Sequence, residues 1–144
     1  MPITINGSGT VTGITAGGLP DGVITTDDIA ANAVTFAKIG TTEQGQLCKA
    51  WVNFNGTSTV AIRASYNVSS ITDHGTGDYT INFTTALVDA NYAVTVATTA
   101  TGAGGPVITI NASAAVPTAS AVRLLMGDTS AVKDVAYNNV AIFR

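Results

Sequence analysis

The chain has 144 residues, a formal charge of -3 and only 10% charged residues, far below the roughly 25% of ordinary soluble domains. That length limits it to one domain plus a short arm, and an apolar fraction of 46% excludes intrinsic disorder. Six Lys and Arg with no basic run exclude nucleic acid as a partner, and no apolar run approaches the roughly 20 residues that span a bilayer.

Residues 1–45 read as an N-terminal arm and residues 46–144 as the folded domain. The start, Met1–Asn6, has neither the cationic stretch nor the apolar segment of an export signal. Ile3, Ile5, Val11, Ile14 and Leu19 are spread through Gly- and Thr-rich sequence, too few to bury a core of their own. Gly17–Gly22 has the Pro-Asp-Gly chemistry of a turn. Thr26–Ala33 then suggests one short helix containing Ile29, capped by Thr26 or Asp27, with acidic residues in its first turn. Val34–Ile39 admits either a continuation of that helix or extended structure. An arm this thin and apolar orders only against neighbours, and the six residues Ile3, Ile5, Val11, Ile14, Leu19 and Ile29 are the candidate contacts.

From residue 46 the apolar residues alternate at period two, as in half-buried strands. Ala50, Val52 and Phe54 share one face, with Trp51, Asn53 and Asn55 on the other. Asn55-Gly56 between two such runs is a strong hairpin signal, after which Val60, Ile62, Ala64 and Tyr66 are expected on one face. Thr72–Gly77 reads as a loop, followed by strands around Tyr79–Thr84, Tyr92–Val96, Val107–Ala112, Ala121–Met126 and Val135–Phe143. About seven strands with turns every 8 to 12 residues specify an all-β fold, an antiparallel β-sandwich behind an extended arm. Five Asn-x-Ser/Thr triplets, at Asn6, Asn55, Asn67, Asn82 and Asn111, reflect the Asn- and Thr-rich composition rather than glycosylation.

Little in the sequence supports catalysis. One histidine, His74, and one cysteine, Cys48, leave no Ser-His or Cys-His pair in context, and no nucleophile elbow or phosphate loop occurs. Asp73, His74 and Asp78 lie within six residues, a spacing that admits a cation site, but it departs from a calcium loop and is read as the polar tip of a hairpin. No cofactor and no metal are expected. Trp51, opposite the apolar face of its strand, is either a binding platform or a seal against the arm or a neighbouring subunit.

Three stretches, Lys49–Thr57, Ile62–Asp73 and Gly77–Thr84, resemble the distal domains of tailed-bacteriophage tail fibres and tailspikes, and Gly22–Val34 resembles the segment that leads into them. The resemblance implies a virion protein made in the host cytoplasm and assembled as a homotrimer. With only the arm ahead of the sandwich, the expectation is a trimeric capsid cement protein that contacts the major capsid protein and exposes a fibre-tip-like sandwich. The alternative is a tail tip that binds a host-surface glycan or protein receptor through loops around His74, Gly102–Gly105 and Thr118, with Asp73, His74, Asp78 and Trp51 as candidate exposed contacts.

Overall fold

The computed structural model describes residues 27, 29–31, 33–99 and 106–144. Ile3, Ile5, Val11, Ile14 and Leu19, the Gly17–Gly22 turn and the Gly102–Gly105 stretch lie outside them. The chain divides into two compact units, Met1–Gly40 and Thr41–Arg144. Within the first, the described part of Thr26–Ala33 holds a turn closed by Ala33 N–H on Ala30 O (2.9 Å), and Ile29 is exposed. A 3-10 turn follows at Phe36–Lys38. The short α-helix, α1 (Thr41–Gln46), comes later than the capping residues suggested. It belongs with the second unit, and the Lys49 ammonium donates back to Gln44 O.

Eight strands make up the second unit: β1 (Cys48–Asn55), β2 (Ala61–Tyr66), β3 (Val68–Gly75), β4 (Asp78–Phe83), β5 (Ala93–Thr98), β6 (Pro106–Ile110), β7 (Ala121–Asp128) and β8 (Asn138–Phe143). They form two four-stranded antiparallel sheets, ordered β2-β1-β8-β5 and β3-β4-β7-β6. One strand more than the sequence suggested is present. Val68–Gly75 was legible only as a polar run and a loop because it is an edge strand, with Val68 alone buried and Ile71 half-buried. A strand that buries one face barely at all leaves no alternation to read.

The two sheets face each other across one core. Ala50, Val52 and Phe54 of β1 and Val140 and Ile142 of β8 meet Tyr79, Ile81 and Phe83 of β4 and Val122, Leu124 and Met126 of β7. Each of these four strands therefore shows the period-two pattern of a sandwich. Phe54 meets Tyr79 edge-on, with ring centroids 5.2 Å apart, and Phe83 meets Tyr92 in the same way at 5.9 Å. Such edge-to-face pairs contribute about 0.5–1.5 kcal/mol beyond the area they bury.

The β1–β2 hairpin departs from simple alternation. Phe54 pairs with Ile62 but Asn53 pairs with Ala64, so Arg63 is an inserted residue. A bulge of this kind shifts every later side chain by one position. Ile62 thus falls on the Phe54 side, whereas Ala64 and Tyr66 fall on the outer face with Trp51, rather than all three sharing one face. The turn itself depends on Gly56, whose N–H donates to Val135 O at 2.9 Å. A Cβ at Gly56 would meet the Tyr79 hydroxyl, Asn138 Nδ2 and Val135 O, all within 2.9 Å. The Tyr79 hydroxyl donates to Asp134 Oδ1 (2.7 Å) with Gly56 O as a second acceptor at 2.8 Å, and Asn138 Nδ2 donates to Val135 O at 2.7 Å. These bonds close one end of the core.

At the other end the chain passes from the first sheet to the second through a single residue, Asn67, between β2 and β3. Its φ of 54° is left-handed, a conformation asparagine tolerates better than most residues. Its side chain spans both sheets: Nδ2 donates to Lys49 O in β1 and to Thr85 O beyond β4, each at 3.1 Å, and Oδ1 accepts Thr85 N–H at 2.8 Å. Its backbone carbonyl accepts Thr84 N–H at 3.1 Å.

Asn67→Ala removes three side-chain hydrogen bonds and adds left-handed strain, so urea unfolding is expected to show a loss of about 2–4 kcal/mol. Asn67→Gly relieves the strain but not the lost bonds, and is expected to lose about 1 kcal/mol less. Equal losses in the two variants would mean that the left-handed turn carries no strain.

Candidate functional site

The residues singled out from the sequence separate onto different faces of the sandwich. β3 and β4 place Asp73, His74 and Asp78 beside the tight turn at their junction. Asp73 Oδ1 accepts the Gly75 N–H at 2.9 Å, a side chain closing its own turn. Gly75 and Gly77, at φ of 124° and 66°, complete the reversal. His74 Nε2 is 2.9 Å from Thr80 Oγ1. Asp78 forms a two-pronged ion pair with Arg123 of β7: Nε donates to Oδ1 and Nη2 to Oδ2, each at 2.8 Å, and Asn111 Nδ2 adds a third contact at 3.3 Å. Asp78 therefore clamps β4 to β7 and the segment after β6. The Arg123 hydrogen bonds hold its carboxyl below the usual carboxylate range against the opposing effect of burial. Among the described residues, no three of His, Cys, Asp and Glu gather as a metal-binding group.

Two further carboxylates also act within the fold. Asp89, before β5, is held by the Arg144 guanidinium at 2.6 and 2.7 Å. Asp128, at the end of β7, accepts Ser130 N–H, Ser130 Oγ–H and Ala131 N–H and pairs with the Lys133 ammonium. Arg144 and Lys133 respectively lower these two carboxyls.

Trp51 stands elsewhere, on the outer face of the first sheet, 40% exposed. The register sets it directly between Tyr66 of β2 and Ala141 of β8. One row along, Asn53 and Asn139 are opposite each other, and Asn53 Nδ2 donates to Asn139 Oδ1 at 2.6 Å. Small side chains at Ala97, Thr95 and Ala141 leave the sheet low beside the indole, which stands over a shallow depression of about 270 Å³. A second depression, about 290 Å³, opens between the sheets at the β5 and β6 edges, lined by Val94, Val96, Ile108, Ile110 and Leu124.

The sequence pointed to Trp51 by its phase in β1. Tyr66 and Asn139 were missed as its neighbours. The Arg63 insertion hid the phase of β2, and the pairing of β1 with β8 joins residues 86 positions apart. No local signal reports a pairing of that range.

Two tyrosines and three carboxylates bear on pH. Burial pushes the Tyr92 hydroxyl, which donates toward Thr118 O and Ala121 O, up to about 12, and burial with the Asp134 hydrogen bond raises Tyr79 further. A raised tyrosine stabilises the fold fully below about pH 10, and that stability is lost as pH climbs through the folded value. A lowered carboxyl, as at Asp78, Asp89 and Asp128, stabilises it above about pH 4, and that is lost as pH falls. Urea midpoints are therefore expected to be flat between these limits and to fall on both sides, with Asp128→Asn showing a shallower acid limb. Absorbance at 295 nm is expected to count two fewer ionised tyrosines at about pH 11 in the native chain than in the unfolded one.

No family model matches the chain, and neither a curated protein nor a solved structure resembles it at a significant level.

Proposed function

We propose that this chain is a structural protein of a tailed-phage virion, a homotrimeric cement protein of the capsid that holds against the major capsid protein and carries its sandwich outward. One observation carries the assembly part of this reading. β2 and β3 each hydrogen-bond to a neighbour on one side only, and all six residues of β2 are exposed, Ile62 and Tyr66 among them. Exposed edge strands with apolar side chains invite pairing, and proteins that remain monomeric blunt them with charges, prolines or cover. β2 has one charge, Arg63, which lies over the Tyr137 ring at 4.3 Å. Assembly of copies side by side would cover this edge, and the low charge of the chain favours it. The resemblance of Lys49–Thr57, Ile62–Asp73 and Gly77–Thr84 to fibre and tailspike tips supports the virion setting.

A second reading, a tail tip that binds a host-surface receptor, is favoured by the exposed Trp51–Tyr66 pair and the depression next to it. An aromatic pair on an open face is a common anchor of recognition surfaces.

Light scattering of the purified chain is expected to give about three times its 14.5 kDa mass. Ile62→Lys, which places a charge on the open edge, is expected to shift that mass toward the monomer while leaving the circular dichroism of the sandwich intact. Gold-labelled antibody is expected on the shells of intact particles. Label at the tail end alone would replace the cement reading with the receptor reading, and a stable monomer with no label on virions would end both.

A further inference from the structure

We infer that the outer face of the first sheet is a binding site for a neutral glycan, with Trp51 as the stacking surface and the Asn53–Asn139 pair as the polar contacts. The inference rests on the receptor reading given above and names the ligand class of its aromatic face. Its first support is geometric. Trp51 is central in the sheet, flanked in register by Tyr66 and Ala141, so an aromatic wall stands beside a low floor. The flat C–H face of a pyranose ring is apolar and packs on such a wall, while its hydroxyls point outward around the rim.

The second support is the hydrogen-bonding chemistry of the floor. Asn53 Nδ2 is used on Asn139 Oδ1, which leaves Asn53 Oδ1 as an acceptor and an Asn139 Nδ2 hydrogen as a donor beyond its long 3.4 Å contact with Ala97 O. An adjacent acceptor and donor match a pair of vicinal hydroxyls, each of which both gives and takes a hydrogen bond.

The third support is charge. Trp51, Asn53, Thr95, Ala97, Asn139 and Ala141 line the depression and include no ionisable group. Of the nearby cations, Lys49 gives its ammonium to Gln44 O, and Arg63 holds its guanidinium over the Tyr137 ring and toward Asn55 Oδ1. A site without charge has nothing to compensate a desolvated carboxylate or sulfate, so anionic sugars are disfavoured. A volume of about 270 Å³ falls just under the usual small-molecule range, which suits one sugar unit of a longer chain rather than an enclosed ligand.

Trp51 is the only tryptophan in the chain, so its emission reads the site directly. The full chain is titrated with neutral oligosaccharides of glucose, galactose, mannose and N-acetylglucosamine, and with uronate- and sialate-bearing counterparts. A saturable blue shift with at least one neutral sugar is expected, along with protection from acrylamide quenching. By calorimetry, Trp51→Ala and Asn139→Ala are each expected to weaken binding about tenfold or more, with Trp51→Phe between them and the native chain. Melting curves of the variants check that the fold survives. No shift with any neutral sugar, binding restricted to the anionic sugars, or binding indifferent to Trp51→Ala would overturn the inference. An emission already shielded, and unshielded on dilution, would assign the face to a second copy of the chain and overturn it as well. Adsorption to bacterial cells separates the two readings. Adsorption that neutral sugar cannot compete away overturns the glycan site and leaves the receptor reading standing. Sugar binding without adsorption keeps the site and removes the receptor reading.

Discussion

A polypeptide that moves from one sheet of a sandwich to the other usually spends several residues on the corner. Here it spends one. Asn67 is at once the connection between β2 and β3, a left-handed backbone turn, and a set of side-chain hydrogen bonds that reaches β1 in one sheet and the exit of β4 in the other. Everything downstream in register depends on it. With no slack between Tyr66 and Val68, the outer position of Tyr66 and the buried position of Val68 are fixed together. The packing of Val68 under Phe83 follows from the β3–β4 pairing that begins there. The Arg63 bulge is the complementary adjustment: an inserted residue bends β2 and aims its last residues outward before the corner.

The sandwich was legible in the sequence wherever a strand buries one face and shows the other, as in β1, β4, β7 and β8. The Ala50-Val52-Phe54 and Tyr79-Ile81-Phe83 triplets are core residues where the alternation places them. Legibility failed at the edges. β3 looks like a loop because its neighbours ask little burial of it, and the phase of β2 breaks at a bulge that no residue type announces. Asn67 itself looked compositional, one Asn among many in a chain rich in Asn-x-Ser/Thr triplets. Its role is fixed by a backbone angle and by bonds to residues 18 positions away on either side. Of the candidate site residues, Asp73 closes its own turn, as local spacing allowed, whereas Asp78 clamps strands through Arg123, 45 positions away. The surroundings of Trp51 emerged only when β1, β2 and β8 were set side by side.

From Cys48 onward the charged groups, few as they are, are used within the fold. Asp78–Arg123, Asp89–Arg144 and Asp128–Lys133 each join segments that the topology separates or close a turn, and the middle pair ties the last residue to the β4–β5 connection. Little charge is left to decorate the surface. The outer face of the first sheet consequently displays aromatic, amide, hydroxyl and methyl groups, and its open edges display backbone. Surfaces of that chemistry recognise partners by shape and hydrogen bonding rather than by long-range attraction, so salt has little leverage on such contacts.

The β1–β2 turn has a chemical consequence as well. Asparagine followed by glycine is the dipeptide most prone to spontaneous loss of ammonia, because an unhindered glycine nitrogen attacks the preceding carboxamide to close a succinimide ring. In the folded chain Gly56 is buried and its N–H is committed to Val135 O. The Asn55 carboxamide is tied down as well, to Thr57 and Thr59. The nitrogen is neither free to lose its proton nor able to swing onto the carboxamide carbon. Folding thereby turns one of the sequence's most perishable bonds into a durable one.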